Sequence, residues 1–103
     1  MKVYIKSRKK DFEANGEFDI TTKKLKIFKG SKVSSNITYS EKFKGAKTIE
    51  KLRDNKIKNN ILQEDMIFKS PSTAANFVTG RSTNGLIAWK TEEGKKLKEV
   101  LSK

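Results

Sequence analysis

The sequence has no cysteine and no histidine. The first absence excludes disulfides, thiolate nucleophiles and zinc-ribbon sites. The second removes the commonest general base and a frequent metal ligand. Proline and tryptophan occur once each, as Pro71 and Trp89. No apolar run is longer than the four residues Leu86 to Trp89, so no segment is apolar enough to span a bilayer. The opening "MKVYIKSRKKDF" carries charge with no apolar stretch behind it, which does not fit a secretory signal. These absences lead to an expectation of a cytoplasmic protein with no membrane partner, no metal and no cofactor.

What the chain has in excess is lysine. Of 103 residues, 24 are basic and 12 acidic, a net charge of +12, and only three of the basic residues are arginines: Arg8, Arg53 and Arg81. Residues 1–58 hold 17 basic and 7 acidic side chains, a net of +10, against 7 and 5 in residues 59–103. An imbalance of this size suits a polyanionic partner such as nucleic acid. A solvated face, or lysine bias from an AT-rich genome, would produce the same composition without a partner. The length fits one domain, residues 1–103, and an apolar fraction of 34% limits it to a compact core.

Patterning divides the chain. Val3, Tyr4 and Ile5 are β-prone and precede "KSRKK". "DFEANGEFDI" alternates through Phe12, Ala14, Phe18 and Ile20, with Asn15-Gly16 readable as a turn or bulge. "KLKIFKGSKV" places Leu25 and Ile27 on one face, giving three strands of an antiparallel meander. Phe43, Ala46, Ile49 and Leu52 then recur at helical spacing. Asn59-Asn60 breaks the chain, and "ILQEDMIF" reads as a hairpin. Ser70 is a good N-cap, worth ~1 kcal/mol, and Pro71 suits the first helical position. Ala74, Phe77 and Val78 form a stripe, and Gly80 is a natural stop. Asn84-Gly85 predicts a tight turn and Leu86–Trp89 a central strand. Leu97, Val100 and Leu101 mark a last amphipathic helix, with Thr91 capping the turn before it. The expected fold is α+β: a small, mainly antiparallel sheet with helices near 46–55, 71–79 and 95–102.

The run Phe68 to Trp89, "FKSPSTAANFVTGRSTNGLIAW", resembles the signature of a bacterial and archaeal family, domain of unknown function 4357. That family's pattern is roughly Phe-x-Ser-Pro-Ser-x-Ala-Ala-x-x-Val-x-Gly-Arg-Ser-x-Asn-Gly-x-x-x-Trp. Leu86 departs from it, since tryptophan is frequent there. "FEANGEF" and "LKIFKGSKVS" resemble further family segments. The core is also similar to the restriction-enzyme adenine methylase-associated domain. The resemblance implies a DNA-processing context, because members are often fused to GIY-YIG nuclease or restriction-related modules, and a role as accessory to a nuclease or methyltransferase partner.

No reaction is expected of this chain itself. Glu93-Gly94-Lys95 has the Glu-x-Lys spacing of one nuclease superfamily, but its glycine sits at a helix entrance. Glu64-Asp65 lacks a clear partner, and "KVYIKS" offers only half of a GIY-YIG pattern. The expected function is non-catalytic nucleic-acid binding, favouring DNA over RNA; the alternative is a protein-interaction or structural module that positions an enzyme. Trp89 in an apolar segment is expected in the core rather than stacked on a base. Arg81 and Ser82 follow the helix stop on an exposed loop, where arginine's planar fork suits phosphate or guanine; an ion pair with Glu64 or Asp65 is the structural alternative. With Asn84, Lys90, Ser72 and Lys69 they make up the candidate contact site, Ser72 through the free amides of a helix's first turn.

Overall fold

Strict alternation at the N-terminus produces the sheet. In the computed structural model, which describes residues 1–38 and 45–102, β1 (Lys2–Lys6), β2 (Glu13–Phe18) and β3 (Leu25–Ile27) form the expected antiparallel meander. A fourth strand, β6 (Met66–Phe68), pairs antiparallel with β3, giving the order β1-β2-β3-β6. Val3 faces Gly16 and Ile5 faces Ala14, so the inward set runs through every second residue. Asn15-Gly16 is therefore neither turn nor bulge: β2 passes straight through it. Gly16 is needed because a Cβ there would lie 2.2 Å from the Lys26 carbonyl oxygen. The strand ends at Phe18, and Ile20 is half exposed in a turn. Asp19 holds that turn by accepting from the amides of Thr21 and Thr22.

A second, two-stranded sheet joins β4 (Ile57–Lys58) to β5 (Ile61–Leu62). The hairpin thus lies around Asn59-Asn60 and not within 61–68. Both asparagines have positive φ, 53° and 66°, the conformation that a two-residue hairpin turn of matching twist demands. Isolated bridges link Lys32 to Glu13 and to Ile61, extending the ladder from the main sheet to this hairpin.

Four helices follow the later patterning. α1 (Ala46–Arg53) buries Ala46 and Ile49, while Phe43 lies outside the described residues. α2 (Pro71–Thr79) lies where its two caps place it: Ser70 Oγ accepts from the Thr73 amide at 3.1 Å, and Gly80 takes φ 73°. α4 (Leu97–Leu101) is shorter than the expected 95–102 and anchors through Leu97. Ahead of it, Thr91 Oγ1 accepts from the Lys95 amide at 3.3 Å.

Leu86–Trp89 is not a strand. Gly85–Ala88 forms a single turn of helix, α3, because Asn84 Oδ1 accepts from the Leu86 amide and caps it. Leu86 and Ile87 are exposed, Ala88 packs against the edge of the core, and Trp89 alone of the four is fully buried. That core lies between the inner sheet face and α2, around Phe18, Leu25, Ile27, Phe77 and Trp89. Among the described residues no helix is long and apolar enough to cross a membrane.

Candidate nucleic-acid interface

The first turn of α2 is sealed from within. Trp89 Nε1 donates to the Pro71 carbonyl at 3.0 Å, and the Gly85 amide donates to Ser72 Oγ at 3.0 Å. A Cβ on Gly85 would fall 2.2 Å from the Pro71 carbonyl carbon and 2.4 Å from the Ser72 nitrogen. Gly85 is thus required by close approach, and Asn84, at φ −79°, by capping; neither uses the positive φ that a tight turn would need. Ser72 and Asn84 are brought together here, with both side-chain oxygens committed to backbone amides. Lys69 is exposed at the entrance to α2, about 14 Å of helix axis from Arg81 at its exit.

At the other end of α2, Arg53 carries out a task that its sequence context does not announce. A helix leaves its last four carbonyls without intrahelical partners. Arg53 reaches across from α1 and its Nε and Nη2 both donate to the Phe77 carbonyl, at 3.1 and 2.6 Å. Nη1 donates to the Ser34 carbonyl at 2.9 Å, and the guanidinium lies 5.7 Å from the centre of the Phe77 ring. The Ser34 amide takes the Val78 carbonyl at 2.8 Å, and Ser34 Oγ takes that of Thr79 at 2.8 Å. Burial lowers the Arg53 pKa to about 10, still far above neutral, so the fork remains charged.

Beyond this cap the backbone of Arg81 is clamped while its side chain is not. The Arg81 amide donates to Thr79 Oγ1, and its carbonyl accepts from the hydroxyls of Thr79 and Thr83. Thr83 is itself tied by its amide to Asn76 Oδ1 at 2.8 Å. Arg81 and Ser82 are exposed. The acidic pair expected as an alternative partner is engaged elsewhere: Glu64 bonds Lys56, and Asp65 accepts from the Lys29 amide. Among the described residues the Arg81 guanidinium forms no ion pair.

Arg81 opens onto a cleft of about 600 Å³ whose other basic walls are Lys6, Arg8 and Lys9, with Asp11 on the rim. A second cleft, of about 700 Å³, shares Lys6, Ser7 and Arg8 with it and runs past Tyr4 to Lys90 and Glu92. A third, of about 330 Å³, continues over the outer sheet face to Lys32. Lys6 borders all three. The tract carries Lys6, Arg8, Lys9, Lys32, Arg81 and Lys90 against Asp11, Glu13 and Glu92. Arg81 and Lys90 are therefore joined through the β1–β2 loop. Lys6 and Lys9 belong to the basic half expected to face a polyanion, but neither they nor Arg8 stood among the expected contact residues; their signal was the "KSRKK" run that begins at the last residue of β1. Lys90 reaches the tract because its backbone pairs with Tyr4 at the free edge of β1. Tyr4 donates its phenol to Glu92 at 3.0 Å, and that hydrogen bond raises its pKa above the ordinary value.

The molecule is thus an α+β domain with a grooved tract around the β1–β2 loop that six basic residues line, two of the three arginines among them. The family model for a domain of unknown function (DUF4357) matches residues 3–101, and the chain belongs to that family. No curated protein and no solved structure matches it.

Proposed function

We propose that this domain is a non-catalytic nucleic-acid-binding module, with DNA as its ligand, serving a nuclease or restriction-modification partner. The observation that carries this reading is the placement of the arginines. Of three, one is spent on capping α2, and the other two, Arg8 and Arg81, line the same cleft. A lysine bias in composition does not account for two forked cations facing one groove. The tract between Arg81 and Lys90 supplies the positive path along which a phosphate backbone lies. The partner class rests on the family resemblance alone.

The test is a titration of a duplex with a single-stranded tail at ~50 and ~200 mM salt. Counterion release at several contacts predicts a loss of affinity on the order of 10²-fold or more across that range. Arg81→Lys keeps the charge but loses the fork, and should cost about 1.5–3 kcal/mol of binding, the worth of a hydrogen bond to a charged group, with no change in melting temperature. Absence of binding at the lower salt sinks the reading. The exposed Leu86–Ile87 pair on α3 would then favour an interaction module.

A further inference from the structure

Tyr4 is the one exposed aromatic among the described residues, and it stands in the middle of the basic tract. Its ring forms a wall shared by two of the clefts, between Lys90 on one side and Lys32 on the other. It is held in place twice. The Tyr4 amide donates to the Lys90 carbonyl at 2.7 Å, the Lys90 amide returns the bond at 2.9 Å, and the phenol is anchored on Glu92. A fixed aromatic face on the outer side of a sheet, flanked by cations, is what base stacking requires. At about 700 Å³ the cleft beside it falls within the ~300–1,000 Å³ range of pockets that enclose small ligands.

The carboxylates in this cleft bear on which nucleic acid enters. Glu13 and Glu92 lie on the same walls as Lys6, Arg8 and Lys90. Against a duplex, which presents phosphates on its outer surface, two carboxylates inside the groove are repulsive. Against an unstacked base they are acceptors for amino and ring N–H groups, which a carboxylate can read. A stacked duplex offers Tyr4 no ring face at all. We infer that the cleft of Tyr4, Lys6, Arg8, Glu13, Lys90 and Glu92 seats one unstacked nucleotide of single-stranded DNA, its base on the Tyr4 ring and its phosphate among the three cations. This rests on the nucleic-acid-binding reading above and names the strand state that the site selects.

The experiment compares a 12-nucleotide single strand with the blunt duplex of the same sequence, by fluorescence anisotropy at ~50 mM salt, using the full chain. The single strand should bind about tenfold tighter. Tyr4→Leu should weaken the single strand about tenfold, within the range that one stacked base is worth, and leave the duplex unchanged. Tyr4→Phe should retain single-strand affinity. Near-ultraviolet circular dichroism of Trp89 reports whether each variant is folded. The unsubstituted protein provides a readout that no folding defect can touch: irradiated with a 5-iodouracil-substituted single strand, it should crosslink at Tyr4. Duplex affinity equal to or above that of the single strand, unchanged affinity in Tyr4→Leu, or a crosslink elsewhere overturns the inference while the nucleic-acid reading stands. Binding to neither form overturns both.

Discussion

Between Ser70 and Thr83 the hydroxyl and amide side chains of Ser70, Ser72, Asn76, Thr79 and Thr83 all have partners inside the chain. Between Lys6 and Asp11 only Ser7 turns inward, accepting from the Asp11 amide at 2.7 Å, and the four cations of that loop form no ion pair among the described residues. The two regions meet in the cleft of Arg8 and Arg81. One, taken with the Gly85–Trp89 segment that follows it, is punctuated with proline, glycine and tryptophan, and Pro71, Gly85 and Trp89 serve to fasten α2 and α3 to each other. The other reads as a plain charged run, and it borders the open surface. Conspicuous sequence therefore marks the scaffold here, and the exposed chemistry is carried by residues whose neighbours impose little on them.

Four substitutions would break or sharpen that contrast. The largest effect is expected from Gly85→Ala. A methyl group 2.2 Å from the Pro71 carbonyl carbon cannot be accommodated by side-chain rotation, so α3 must lift from α2 at a cost of about 3 kcal/mol or more. Thermal unfolding followed through Trp89 measures it, and a melting temperature near the wild-type value would show that the two helices are loosely apposed. Next is Arg53→Met, which keeps the aliphatic stem but leaves the Phe77 carbonyl without its donors. The expected loss is about 2–3 kcal/mol, read from urea unfolding, with DNA affinity per folded molecule unchanged. The smallest is Ser72→Ala, about 1 kcal/mol of stability and no change in DNA affinity. Its counterpart, Lys9→Gln, should leave stability alone and lower affinity in a salt-dependent manner. If Ser72→Ala weakens binding and Lys9→Gln does not, the division between the regions is reversed.

Much of the fold was legible because its signals are local. The alternation through Val3, Ile5, Ala14 and Phe18 depends only on strand period, and the ends of α2 depend on Ser70, Pro71 and Gly80, each within one turn of the backbone it serves. Leu86–Trp89 was misread because four apolar residues fit a strand or a helical turn equally well; the decision comes from Asn84 and from contacts with Pro71 and Ser72, made across the chain. The hairpin at 57–62 was missed because Asn59-Asn60 is less recognisable than Asn-Gly, although it adopts the same positive φ. The site was half legible. Arg81 stood out for its scarcity and its place after a helix stop. Its neighbour Arg8 was invisible, since only the packing of the β1–β2 loop beside the end of α2 brings the two together. Arg53 was obscure for the same reason, its partners lying 19 and 24 residues away along the chain.

The pairing of Tyr4 with Lys90 sets an order on synthesis as well as on structure. The edge of β1 away from β2 is satisfied by Lys90, and the phenol by Glu92, 88 residues later. A growing chain therefore leaves the ribosome with β1 and β2 able to pair but with one strand edge bare, and an unpaired edge is a template for other chains. Closure must wait until the segment around Lys90 has cleared the exit tunnel, and contacts so distant in sequence form slowly. Until then the bare edge of β1 is open to pairing with other chains.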